Sequence, residues 1–312
     1  MDRLTENKII LVTRQTRLDE LVRRFNTPSQ AQFYIEHLGA DFADYQREHD
    51  NYKAAVQATQ NILARFGRLQ VVERSLTPNF IFDENDTVVV LGQDGLVANV
   101  LKYLQEQIVI GVNPDPDRWE GVLLPFTVPD LPKIIPQVFR QERPISNVTM
   151  AKAELNTGET LYGVNDLFIG PKSHTSARYT IEVNGRSEDQ SSSGIIVSTG
   201  LGSTGWLRSV LAGAVGVASY LSDTNLINQR ESNFSWDAEY LYFSVREPWP
   251  SKTSGADITF GQITAQNPLC LVSQMPESGV IFSDGIESDF VGFSSGTRAT
   301  ISVAEKKGHL AQ

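Results

Sequence analysis

The sequence predicts an α/β N-terminal domain with a parallel sheet over residues 1–124, followed by a β-rich C-terminal domain over residues 125–312. Two observations carry this reading. Up to residue 124, short β-branched runs alternate with segments of helical spacing, the pattern of parallel strands joined by helical crossovers. Beyond it, strand-like runs follow one another with turn residues between them. A chain of 312 residues also exceeds what one core usually serves.

Ile9-Ile10-Leu11-Val12 reads as a buried strand, and Thr16-Arg17-Leu18-Asp19 matches a capping box opening a helix over 18–25. Ser29 is expected to cap a second helix reaching residue 35, and Tyr45, Tyr52, Val56, Ile62 and Leu63 give helical spacing across 41–66. Strands follow at 69–72, 88–91 and 108–112, with a helix over 97–104 between the last two. A helical segment at 131–140 precedes strands at 148–155, 159–169, 177–183, 194–199, 240–245, 256–263, 269–272, 279–282 and 299–303. The clear helix of the second half is 206–221, directly after Gly200-Leu201-Gly202-Ser203-Thr204-Gly205.

Composition narrows the function classes. A formal charge of -10 argues against a general nucleic-acid or anionic-membrane binder, because those need clustered cations to displace counterions. Small molecules, with no nucleic acid and no membrane, are the expected partners. Cys270, the one cysteine, excludes a disulfide framework and a cysteine-based zinc site. The four histidines show no metal-ligand spacing, so no protein-held metal site is expected. No run approaches the roughly 18 apolar residues of a membrane span, and the N-terminus has no signal core, which fits a cytoplasmic protein.

Three stretches could carry chemistry. Val88-Val89-Val90-Leu91 leads through Gly92-Gln93-Asp94-Gly95 into a helix, which puts Asp94 on a strand-to-helix turn at the edge where open α/β sheets bind ligands. Helix-start amides there attract phosphate, and a carboxylate among them suits accepting a proton from a hydroxyl; a solvated Asp-Gly turn is the bland alternative. Asn165-Asp166 places two polar side chains inside an apolar strand, where an asparagine amide pairs well with an adenine edge, or else marks a β-bulge or edge turn. Gly200 to Gly205 matches G-x-G-x-x-G between strand and helix, but lacks the second parallel strand of a Rossmann unit. Ser203 and Thr204 instead offer hydroxyls beside helix-start amides, or cap an ordinary turn. No G-x-x-x-x-G-K-[ST] occurs, which excludes a P-loop kinase.

Taken in order, Gly92-Gln93-Asp94-Gly95, Asn165-Asp166 and Gly202-Ser203-Thr204-Gly205 resemble the hallmarks of the NAD kinase family. Thr16-Arg17, Gly111-Val112-Asn113-Pro114-Asp115-Pro116 with Arg118 and Gly121, Ser192-Ser193-Gly194, Trp206 and Ser244-Val245-Arg246-Glu247-Pro248 resemble its mitochondrial-type branch. The resemblance implies a two-domain NAD kinase-like architecture with a Rossmann-like first domain. It also implies transfer of the γ-phosphate of ATP, with Mg2+, to the 2'-hydroxyl of the adenosine ribose of NAD(H), by a homodimer or larger homo-oligomer. Asp94 is then the general base, Gly95 brings backbone close to substrate, and Asn165 and Asp166 hold adenosine. Thr204, Gly205, Trp206 and Ser209 line the NAD site, while Gly92, Asn113 and Asp115 lie towards the triphosphate. Gln93 stands where the family has a second glycine, Leu96 where it has threonine, and Ser193 where many members have aspartate. Rival readings are a lipid or nucleotide kinase built on the same loop, a non-catalytic nucleotide binder, and, last, a nicotinamide-dependent oxidoreductase.

Overall fold

The structure is a computed structural model that describes residues 4–222, 233–287 and 289–312. β1 (Lys8–Thr13) is buried from Ile9 to Thr13, as a strand covered on both faces must be. It pairs in parallel with β2 (Arg68–Glu73) and β3 (Thr87–Leu91), and β3 pairs in parallel with β4 (Ile108–Asn113). The order β2-β1-β3-β4 continues past β4 with the short β5 (Phe126–Thr127) and the end of the C-terminal strand Arg298–Ala311, both parallel to it.

α1 (Arg17–Phe25) opens on the expected capping box of Thr16 and Asp19. α2 (Pro28–His37) is capped by Thr27 rather than by Ser29, because Pro28 takes the first helical position, where its missing N–H is not needed. α3 (Phe42–Leu63) is capped by Asp41 and sends Tyr52 and Leu63 into a core with Ile9, Leu11, Val89, Leu91, Ile110 and Val112. α4 (Asp94–Leu101) is buried along 96–101 and packs against β3, β4 and the 3-10 turn Arg74–Asn79. α5 (Leu131–Phe139) adds Leu131, Ile134, Ile135 and Val138 to the α3 core. That apolar face keeps α5 in the first unit, which comprises Met1–Ser146 and Gly308–Gln312; the second comprises Asn147–Lys307.

The second unit is a sandwich. β6 (Ile145–Leu155) turns back into β7 (Thr160–Gly163), and β8 (Asp166–Pro171), β9 (Ala177–Val183), β10 (Arg186–Ser192) and β11 (Ile195–Ser198) follow. After α6 (Trp206–Ser222) come β12 (Tyr240–Val245), β13 (Phe260–Thr264), β14 (Leu269–Ser273), β15 (Gly279–Ser283) and β16 (Phe290–Gly292). One antiparallel sheet runs β13-β12-β11-β8-β15-β16. The facing layer runs β10-β9-β14 and on to the C-terminal strand. Leu167, Ile169, Val197, Phe243 and Ile281 from the first sheet share one core with Tyr179, Ile181, Leu271 and Ile301 from the second. Because strand side chains alternate, Asp166 and Phe168 leave β8 on the face away from that core.

Two further differences from the sequence expectations concern strands. The run 159–169 is not one strand, because the chain bends at Val164-Asn165 between β7 and β8. β10, polar enough to pass as loop, forms because it pairs with β9 along its length, while buried Gln190 and Ser192 meet the Tyr179 hydroxyl at 3.0 and 2.8 Å.

Candidate active site

In the first unit β3 ends at Leu91 and α4 begins at Asp94, so the carboxylate sits on the strand-to-helix turn. It points back across the sheet edge: Oδ1 accepts the Leu123 N–H at 2.7 Å and Oδ2 the Val122 N–H at 3.2 Å. A carboxylate oxygen has two acceptor positions, so each keeps one free while its direction is set. The helix cap, Gln93, makes no side-chain capping bond, and no acceptor among the described residues meets the amides of Asp94 and Gly95. Gly95 is exposed, and a Cβ there would meet nothing within 4 Å, so its face of the turn is open. Gly92 is buried against Leu96, whose Cδ2 lies 2.7 Å from where a Cβ would stand.

The loop that carries the Val122 and Leu123 amides is built from β4. Gly111 lets the Leu123 carbonyl cross the strand, since a Cβ would lie 1.9 Å from that oxygen, and Gly121 turns with φ +68. Asn113 spends its amide inside this loop, Nδ2 donating to the Trp119 carbonyl at 2.8 Å and Oδ1 accepting the Asp115 N–H at 3.0 Å. Asp115 accepts from Asn51 at 3.4 Å, with Arg118 Nε at 3.9 Å.

A charged network adjoins this turn. Arg17 and Arg118 belong to segments quoted for the family resemblance, but no sequence motif announces their partners Arg14, Asp44 and Glu48. Glu48, on α3 and buried, meets Arg14 at 2.9 Å and Arg17 at 2.5 Å; Asp44, one turn earlier, joins Arg17 at 2.8 Å and also Arg118. Arg118 and then Arg17 hold the Asp44 carboxyl far below its ordinary range. Tyr52 stands between network and turn, its hydroxyl accepting the Arg14 N–H at 2.8 Å and donating to the Leu91 carbonyl at 2.9 Å. Burial pushes that hydroxyl up to about 12, so it keeps its proton.

In the second unit the structure brings Asn165-Asp166 and the glycine loop together. Gly202 lies under the bend, because a Cβ would stand 2.0 Å from the Asn165 carbonyl oxygen, and Thr199 N–H donates to the same oxygen at 3.0 Å. Gly200 plays the same part for the Ser235 carbonyl, at 1.9 Å. The paired glycines thus serve two backbone crossings, a packing reason for G-x-G that needs no phosphate. Leu201–Thr204 forms a 3-10 turn in which the buried Ser203 hydroxyl donates to the Gly200 carbonyl at 2.6 Å, leaving Thr204 and Gly205 as its exposed end. Trp206 then stacks on Phe168 at 5.8 Å between centroids, with the Arg246 guanidinium 5.4 Å from its ring. Ser209 is exposed one turn into α6.

The side chains of Asn165 and Asp166 make no hydrogen bond to another described residue, so both are available to a ligand. Burial first, and the neighbouring Asp284 carboxylate second, push the Asp166 carboxyl up to about 7. Among the described residues no group of three or more His, Cys, Asp or Glu side chains is arranged to hold a metal, and no helix is long and apolar enough to cross a membrane.

No protein-family model matches the chain, and no curated protein matches it. Solved structures do. A crystal structure of an NAD kinase from Archaeoglobus fulgidus in complex with ATP aligns with TM-score 0.56 and 13% identity, covering 98% of this chain and 93% of that one. A crystal structure of yeast NADH kinase complexed with NADH aligns with TM-score 0.61 and 13% identity, covering 98% of this chain and 84% of that one. At this identity the likeness is one of fold, and it extends over nearly the whole chain.

Proposed function

We propose that this chain is an NAD(H) kinase: it transfers the γ-phosphoryl group of Mg-ATP to the 2'-hydroxyl of the adenosine ribose of NAD or NADH. The observation that carries the reading is the Asp94 carboxylate, oriented by two backbone amides on an open strand-to-helix turn, in a fold shared with kinases solved with ATP and with NADH. Phosphoryl transfer of this kind has a loose transition state, so alignment and charge neutralisation do most of the work. The 2'-oxygen bonds to the γ-phosphorus as the bond to the β-phosphate bridging oxygen breaks, ADP leaves, and the hydroxyl proton passes to Asp94.

In this reading the open amides of the Asp94 turn face the phosphates, Gly92 lies buried beneath that turn, and the Asn113 and Asp115 loop lies towards the triphosphate. Asn165 and Asp166 hold the adenosine of the acceptor, and Thr204, Gly205, Trp206 and Ser209 line the rest of its site. Magnesium arrives as part of the nucleotide, because it is commonly held by substrate phosphates and waters with few protein ligands. The protein acts in the cytoplasm as a homodimer or larger homo-oligomer, which light scattering tests.

Incubation with ATP, magnesium and NAD or NADH, followed by chromatography, should yield a phosphorylated dinucleotide. Asp94→Asn should lower turnover by about 10²- to 10⁴-fold while dinucleotide affinity stays near wild type. Wild-type turnover in that variant sinks Asp94 as the base. Tight dinucleotide binding with no product would instead favour a non-catalytic binder.

A further inference from the structure

We propose that Asp284 is a positioning residue for the acceptor site, holding the Val164-Asn165-Asp166 bend so that the Asn165 and Asp166 side chains leave the sheet in a fixed direction. The inference rests on the reading of those two side chains as adenosine contacts. Asp284 belongs to none of the motifs through which the site is read from sequence, and it reaches the bend from the far end of β15.

Its carboxylate gathers successive backbone amides. Oδ1 accepts from Asn165 N–H at 2.6 Å, Val164 N–H at 3.0 Å and Asp166 N–H at 3.4 Å, and Oδ2 from Val164 N–H at 3.2 Å. In return the Asp284 N–H donates to the Asp166 carbonyl at 3.0 Å. To make these contacts Asp284 adopts φ +56, followed by Gly285 at φ +70, a left-handed pair that aspartate tolerates better than most residues.

The carbonyl side of the bend is held from the other direction. The Thr199 hydroxyl lies 2.5 Å from the Val164 carbonyl and 3.1 Å from that of Asn165, and it accepts the Gly202 N–H at 3.2 Å. With the Thr199 N–H on the Asn165 carbonyl at 3.0 Å, donors and acceptors of the bend are taken up by backbone and by these two side chains. Only the Asn165 and Asp166 side chains are left to meet a ligand. Carboxylate bonds to amides are charge-assisted and short, which makes Asp284 the stronger half of this clamp.

Two variants separate the carboxylate from the turn. Asp284→Asn keeps the shape and one acceptor oxygen but removes the charge and places an NH2 group where Oδ2 accepts the Val164 N–H. Asp284→Gly keeps the left-handed backbone while removing the acceptor altogether. The full-length protein is titrated with NADH by its fluorescence, assayed for KM and kcat, and followed by hydrogen exchange, with amides of the remaining sheet as the folding control. Both variants should exchange the amides of 164–166 faster, and weaken the dinucleotide Kd and KM by about tenfold or more, with saturated kcat within a few-fold of wild type.

Unchanged exchange at 164–166 overturns the clamp, and faster exchange with unchanged Kd and KM overturns its positioning role. A wild-type Asp284→Gly shows that only the turn conformation matters, and likewise overturns the proposal. If the wild-type protein binds neither NAD nor NADH, the acceptor reading itself fails. That failure appears before any variant is compared, and it removes the role proposed for Asp284 as well.

Discussion

Asp166 has a consequence that can be read in solution. Below pH 3.8, its ordinary value, folded and unfolded chains both carry the proton; between there and about 7 only the folded chain does. The stability it contributes is therefore full at the acid end of that window and lost as pH rises through about 7, at up to about 1.4 kcal/mol per pH unit. Asp166→Asn should flatten this dependence in urea midpoints taken from pH 4.5 to 8, and an unchanged slope rules out Asp166 as its source. A pair of glycines gives a second contrast at this scale. Gly202→Ala puts a methyl 2.0 Å from the Asn165 carbonyl oxygen and should cost about 1–3 kcal/mol or more, together with dinucleotide binding. Gly95→Ala meets only open space, so its unfolding midpoint should hold while nucleotide affinity falls.

Among the elements, α3 shows most clearly what a sequence conceals. Its helical spacing and the Asp41 cap are local and legible, yet Glu48 reads as one more solvated charge on a polar helix. It is instead buried, because the chain after β1 brings Arg14 and Arg17 against it, partners 34 and 31 positions away. Glu48→Ala should cost about 3–5 kcal/mol by leaving Arg14 buried without its counter-charge. Urea denaturation checks this, and a double-mutant cycle with Arg14 apportions the loss. The Asn165-Asp166 pair was legible as an anomaly, two polar residues in an apolar run. A bulge or edge turn was one of the two readings that anomaly offered, and the chain does bend at Val164-Asn165. What was not legible is the partner that holds the bend, because Asp284 lies 119 positions from Asn165. The Asp284-Gly285 dipeptide was the only local sign, and Asp-Gly marks turns of every kind.

For the whole molecule, the chain's own pattern determined the class of architecture. Buried β-branched strands alternating with helices specify a parallel sheet, and period-two strands specify layers, because each element must hide one face. The loops at Asp94, Asn165 and Gly202 were also visible, since glycine and buried polar residues are out of place in regular elements. Only the tertiary structure decided what those loops do with their groups: Asp94 aimed by the Leu123 and Val122 amides, Gly200 and Gly202 taken up by backbone crossings, Asn113 spent within its loop, and Asp284 recruited as a clamp. The physical reason is range. Periodicity and capping act between residues a few positions apart, whereas hydrogen bonds and ion pairs at a site join residues that only folding makes neighbours.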